Sequence, residues 1–275
     1  EDDQPDSHQP GVLIAKAYEG RYVACFDPLD GSGNADAAIC TGTVFGIFET
    51  DEDDEKKKDN DDKNDDDDMK TREELVQAVL QPGKNLRAAG YCLYSSATIL
   101  VLSLGDGKTH GFTLDPQINE FVLTHWNMRI PSRGNVYSCN EANSEGWSDK
   151  GWKEYLKKIK RGQGETGEKY ALRYVGSMVG DIHRTLMYGG IFGYPSDTDQ
   201  HPNGNLQLLY KCAPMGYIVS QAGGLCTNGE QNLLDIRPSR VHERSPVFMG
   251  SPEDMKEMME YVKHTNYVDE EEEEK

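Results

Sequence analysis

The run DEDDEKKKDNDDKNDDDD over residues 51–68 sets 12 acids and 4 lysines in succession without one apolar side chain. Such a segment repels itself and cannot bury enough apolar area to offset the entropy of ordering it. It divides the chain into a short apolar part before it and a long one after it, so a core has to be assembled across the run. The tail Asp269–Lys275 and the opening Glu1–Asp6 are of the same kind, and the three segments carry 17 of the 19 net negative charges. The remaining chain is close to neutral, and the acidity belongs to solvated, disordered segments rather than to a binding face. No basic face compensates that field, which argues against a nucleic-acid partner. No apolar run reaches the roughly 18 residues a membrane span needs. No basic-then-apolar leader opens the chain, which begins at Glu1, so neither a membrane nor a secreted protein is expected. The six cysteines are widely spaced and form no Cys-x-x-Cys pair, which suits scattered core thiols better than disulfides or zinc.

Arg21–Phe26 reads as a strand that runs straight into the turn Asp27–Gly31, followed by the small-residue stretch Asn34–Ala38 and an apolar strand, Thr43–Phe48. Thr71–Leu80 has a capping-box spacing (Thr71, Glu74) and reads as a helix ending before Pro82-Gly83. Alternation then predicts a meander of Thr98–Leu104, His110–Leu114 and Glu120–Thr124. Beyond Pro131 the character changes. Helices are expected at Trp152–Lys160, Asp181–Tyr188, Pro214–Ala222 and Pro252–Lys263. Short strands are expected at Arg173–Val175, Leu206–Tyr210, Leu233–Ile236 and Val247–Met249. Antiparallel strands first, then strands alternating with helices, predict an α/β protein of two domains. They cover residues 1–130, with the insertion 51–68, and residues 131–275, with the acidic tail 269–275.

Asp27-Pro28-Leu29-Asp30-Gly31-Ser32 is where the chemistry concentrates. Pro28 fixes φ and stiffens the turn, so two carboxylates can converge on one point. A hard cation such as Mg²⁺ takes oxygen ligands of this kind, with the Leu29 carbonyl as a third. Gly31, Ser32 and Gly33 then offer successive backbone N–H groups as a phosphate cradle. A bare Asp-x-x-Asp would be read as a tight turn; the strand before it and the small residues after it favour metal-assisted phosphoryl chemistry.

Tyr22–Asn34 (YVACFDPLDGSGN) followed by Gly42–Ile47 (GTVFGI) resembles the fructose-1,6-bisphosphatase family. So do Gln81–Leu86, Leu114-Asp115-Pro116, Asn140-Glu141, Arg173–Arg184 (RYVGSMVGDIHR), Tyr188–Tyr194 and Asp235–Gly250. The resemblance covers nearly all of residues 20–265 and looks closer to the plastid than to the animal form at Ala89–Cys92 and Cys212–Met215. It implies a layered α-β-α-β-α sandwich, homotetrameric assembly, a cytoplasmic or chloroplast setting and Mg²⁺-dependent hydrolysis of the 1-phosphate of fructose 1,6-bisphosphate. Mn²⁺ or Zn²⁺ are the alternative cations. Carried over by position, Asp27 and Asp30 are the catalytic carboxylates, and with the Leu29 carbonyl they hold the metal. Glu1 is the one candidate for a further acidic ligand. Asp30, Gly31, Ser32 and Gly33 would bind the 1-phosphate. Asn140, Tyr174 and Tyr194 would bind the 6-phosphate, with Arg173 reaching from a neighbouring subunit, and Gly176-Ser177-Met178 would line the sugar. His183 is read as structural.

The sequence departs from the family at four places. Lys211 stands where the family has a glutamate metal ligand, Asn205 where it has a phosphate-binding lysine, Gln207 where it has an arginine, and Asn143-Ser144 where it has a phosphate-contacting tyrosine. An ammonium beside Asp27 and Asp30 would repel a divalent cation and pair with the carboxylates instead. Each lost charge-assisted bond to phosphate is worth roughly 1.5–3 kcal/mol. The alternative expectation is therefore an impaired relative that binds sugar phosphates or assembles with active subunits. The family's AMP-binding N-terminal helices have no counterpart in the resemblance, and the insertion holds no cysteine for a thiol switch, so neither form of regulation is expected.

Overall fold

The computed structural model describes residues 22–49, 76–198 and 201–273. The acidic insertion, Glu1 and the first half of the helix expected over Thr71–Leu80 lie outside them; residues 76–79 are helical. Segments rich in β-branched and aromatic residues pair in chain order into one antiparallel sheet. They are β1 (Tyr22–Asp30), β2 (Thr41–Glu49), β3 (Leu86–Tyr94), β4 (Thr98–Ser103), β5 (His110–Asp115) and β6 (Glu120–His125). The meander read from alternation is its second half. The expectations pass over β3, since LRAAGYCLY is small, central and covered on both faces, and so lacks the period-two signal of a half-exposed strand.

After residues 126–135 the chain builds a second sheet in the order β11-β13-β9-β7-β8. Its strands are β7 (Val136–Ser138), β8 (Ala171–Leu172), β9 (Ile191–Tyr194), β11 (Leu225–Thr227) and β13 (Val247–Gly250). β7 runs parallel to β8 and β9, and the other pairings are antiparallel. A two-residue ribbon, β10 (Leu206–Gln207) against β12 (Arg244–Ser245), stands apart from both sheets.

Beyond the turn at 76–79, four longer helices are found among the described residues. α1 (Lys150–Arg161) starts where the Asp149 carboxylate accepts from the Trp152 amide at 2.8 Å, and stops at Gly162 in the left-handed region. α2 (Met178–Tyr188) and α3 (Ala213–Gln221) lie between the two sheets, where Val179, Ile182, Leu186, Met215 and Ile218 join Val44, Phe48, Tyr91 and Val101 in one core. α1 and α4 (Pro252–Glu273) cover the far side of the second sheet through Trp152, Tyr155, Phe248, Met255 and Met258. The layers are sheet, helices, sheet, helices. No described element supplies the first helical layer of the expected α-β-α-β-α order.

Four local expectations are corrected. Arg173–Val175 is not a strand. The pairing ends at Leu172, because the Asp181 carboxylate draws the Val175 and Gly176 amides away from the sheet. Leu206–Tyr210 is a strand only to Gln207. A single π-helical turn, Leu208–Cys212, follows, closed by the Ala213 amide on the Leu208 carbonyl just before Pro214, which has no N–H to give. Leu233–Asp235 is a 3₁₀ turn capped by the Asn232 side chain on the Leu234 amide. Into the acidic tail, the backbone of α4 stays helical as far as Glu273; glutamate is a strong helix former, and the helix is already anchored by Met255, Met258 and Val262.

Candidate functional site

In a regular strand, residues three apart face opposite sides. β1 escapes this because its register against β2 slips between Asp27 (opposite Val44) and Asp30 (opposite Gly42), where Pro28 cannot contribute an N–H to the ladder. Both carboxylates consequently turn inward, 9% and 3% exposed respectively. The Leu29 amide donates to Asp27 Oδ1 at 3.2 Å, and the Thr43 hydroxyl donates to the Pro28 carbonyl at 2.8 Å. Gly31 then takes φ +73°, and a Cβ there would lie 2.7 Å from the Ser177 Cβ. Only glycine lets the turn come this close to α2. Ser32 and Gly33 open a 3₁₀ helix, Ser32–Ala37, and stay exposed to solvent.

The N-terminus of α2 supplies the opposite wall. Ser177 caps the helix and donates its hydroxyl to Asp30 Oδ2 at 2.9 Å, and the Val179 amide donates to the same oxygen at 3.0 Å. Asp181, fully buried one turn on, accepts from the Val175 and Gly176 amides and from Arg184 at 2.9 Å. This fixes the loop carrying Tyr174 and Gly176. Asn34 Nδ2 donates to the Val175 carbonyl at 3.2 Å and ties that loop to the cradle.

The π-helical turn brings Lys211 into the same place. Its Nζ lies 2.8 Å from Asp27 Oδ2 and 3.7 Å from Asp30 Oδ1, with all three side chains largely out of solvent. Burial works against the ammonium, but the two carboxylates outweigh it and hold the Lys211 pKa above the ordinary lysine value. Asp30 is raised as well, up from the usual carboxylate range, by burial against the opposing pull of the Val179 amide, Lys211 and Ser177. The two shifts bear differently on the pair. The lysine direction is the one that describes the contact, since Nζ is closer to Asp27, while Asp30 is buried more deeply and farther off. With Lys211 charged, the cluster sums to zero or to minus one, according to the protonation of Asp30.

These residues do not fit a divalent cation as they stand. An ammonium occupies the place between the carboxylates, one Asp30 oxygen is committed to Ser177 and Val179, and no group of three His, Cys, Asp or Glu ligands exists among the described residues. Glu1, the candidate upstream ligand, lies outside those residues.

The remaining candidates lie on the loops around this wall. Tyr174 is partly buried, and burial, followed by Tyr194, raises its phenol pKa. Tyr194, at the end of β9, accepts from Asn205 Nδ2 at 3.4 Å. Arg173 is exposed and donates to its neighbour's carbonyl, Leu172, at 2.8 Å. Asn140 heads a 3₁₀ turn, Glu141–Asn143, and its amide reaches none of the other candidates. The Met178 side chain is in the core, leaving only its backbone to face the site. His183 meets Tyr91 at 2.8 Å between α2 and β3, away from the carboxylates. Sequence reasoning missed Arg244, which hydrogen-bonds Asn205 across the β10–β12 ribbon. It also missed Asp181. Arg244 has no signal in spacing, since it acts through a pairing that sequence separation does not reveal, whereas Asp181 has a local one, its partners Val175, Gly176 and Arg184 lying within six residues.

The family model for the fructose-1,6-bisphosphatase N-terminal domain matches residues 7–126, and that for its C-terminal domain matches residues 130–263. The chain is 47% identical over 251 residues to chloroplastic fructose-1,6-bisphosphatase 1 of Arabidopsis thaliana, covering 91% of this chain and 58% of that protein. It is 44% identical over 254 residues to the cytosolic enzyme of Oryza sativa subsp. indica, covering 92% and 68%. Against the chloroplastic relatives, then, the chain spans about three fifths of their length. The apo crystal structure of Leishmania major fructose-1,6-bisphosphatase superposes with a TM-score of 0.79 at 39% identity, covering 91% of this chain and 75% of that one. Relatives of this family carry chloroplastic and cytosolic names, and no described helix is long and apolar enough to cross a membrane. Two sheets enclosing a helical layer, a slipped strand presenting paired aspartates, and matches in both halves lead to one assignment: this chain belongs to the fructose-1,6-bisphosphatase family.

Proposed function

We propose that the protein binds fructose 1,6-bisphosphate and hydrolyses its 1-phosphate. Mg²⁺ is the proposed cation, with Mn²⁺ or Zn²⁺ as alternatives, and the setting is a chloroplast or the cytoplasm. A homotetramer is the proposed assembly, in which exposed Arg173 would meet a neighbour's ligand. The observation that carries the substrate class is the convergence of Asp27, Asp30 and the Gly31 turn on the start of α2, beside the loop of Tyr174. Asp30 is oriented by Ser177 and Val179, the cradle is open to solvent, and the tyrosines offer hydroxyls to a second phosphate. Turnover requires the Lys211 ammonium to leave the carboxylates, and no hydrolytic step is assigned to these residues while it stays.

The position of Lys211 favours a second reading, in which the chain binds sugar phosphates without turning them over. Phosphate release from fructose 1,6-bisphosphate, measured with Mg²⁺ on the unmodified chain and on Lys211→Glu, separates the two. Release by the unmodified chain disposes of the second reading; release only by the variant disposes of the first.

A further inference from the structure

The two ends of the site differ in charge. At the carboxylate end, the Lys211 ammonium is committed to Asp27 at 2.8 Å and to Asp30 at 3.7 Å. One ammonium is set against two carboxylates there, so this end has no positive charge to spare for a phosphate dianion. The other end is the reverse. Gln207 and Arg244 face each other across the β10–β12 ribbon, and Asn205, two residues before Gln207, hydrogen-bonds both the Arg244 guanidinium and the Tyr194 hydroxyl. Arg244 is partly buried, and no carboxylate pairs with it among the described residues. A partly buried guanidinium on a neutral amide, beside one tyrosine hydroxyl, is a fork whose chemistry suits a phosphate.

We infer that Arg244 helps to hold one phosphate of the sugar beside Tyr194 and Tyr174, and that this chain gains nothing from a second phosphate at the carboxylate end. The inference rests on the sugar-phosphate reading above and sharpens it: Arg244 is a phosphate-binding residue, and Lys211 removes the advantage of the bisphosphate. It requires no divalent cation.

Isothermal titration of the full chain in EDTA with fructose 6-phosphate, fructose 1-phosphate and fructose 1,6-bisphosphate tests it. The 6-phosphate and the bisphosphate should bind within about threefold of each other, and the 1-phosphate about tenfold or more weaker, the scale of one lost charge-assisted bond. Arg244→Met should weaken the 6-phosphate by about tenfold or more while Arg244→Lys keeps part of it, which a mere folding defect would not do. A bisphosphate preferred by about tenfold in EDTA, or unchanged 6-phosphate affinity in a folded Arg244→Met, overturns the inference alone. Absence of binding by all three ligands overturns the sugar-phosphate reading with it.

Discussion

Replacing Lys211 by Glu removes a cation from two buried carboxylates and adds a third. At an effective dielectric near 20, contacts of 2.8 and 3.7 Å correspond to attractions of about 6 and about 4 kcal/mol. Desolvation of the ions cancels several kcal/mol of that, so breaking the pair should cost about 3–5 kcal/mol net. For a domain of this size each kcal/mol moves Tm by about 2–4 °C, so a drop of about 10 °C is expected in EDTA. The assay is a thermal melt of the unmodified chain, Lys211→Glu and Lys211→Met, each in EDTA and with added Mg²⁺. Mg²⁺ should restore much of the loss in Lys211→Glu, little in Lys211→Met, and leave the unmodified chain where it was. A Lys211→Glu melt within about 1 °C of the unmodified chain in EDTA would show that the ammonium does not neutralise the carboxylates. So would stabilisation of the unmodified chain by Mg²⁺ as large as that of the variant.

Gly31→Ala forces a Cβ to 2.7 Å from that of Ser177 at φ +73°. Urea unfolding should show a loss of about 1–3 kcal/mol, and an unchanged midpoint would refute the close approach. Burial, followed by the charge of His125, lowers the His183 pKa to about 4 from 6.5, so the folded chain resists the proton that the unfolded chain accepts. Stability is therefore full above pH 6.5 and falls as the pH drops from 6.5 towards 4, by roughly 2 kcal/mol given the partial exposure of the ring. His183→Gln should flatten that part of the stability–pH curve, and an unaltered slope would locate the dependence elsewhere.

Much of this architecture is written locally. The helix closed by Gly189-Gly190 and the strand entering the Asp27–Ser32 turn follow from caps, glycines and alternation. Apolar runs without periodicity do not decide between helix and strand, and the strand expected over Leu206–Tyr210 gives way after Gln207 to a π-helical turn, Leu208–Cys212, just before Pro214. At the site, Asp27 and Asp30 are visible in the sequence, and the identity of residue 211 already warns of an ammonium near them. What orients Asp30 is not visible: Ser177 and Val179 lie 147 and 149 residues away. Arg244 is hidden for the same reason, since only the pairing of Leu206–Gln207 with Arg244–Ser245 places it by Tyr194.

The helical layer shared by the two sheets bears on how the molecule comes apart. The family models divide the chain between residues 126 and 130, yet Val44, Phe48, Tyr91 and Val101 from one side of that division and Ile182, Met215 and Ile218 from the other form a single apolar cluster. A cut at the division would strip both partners, leaving the first sheet without cover on its inner face and α2 and α3 with half their surface bare. The two halves therefore share one apolar cover. The sheet that carries Asp27 and Asp30 and the helix that holds Asp30 in place share that cover, so a substitution that loosens the cluster on either side of the division loosens the same carboxylates.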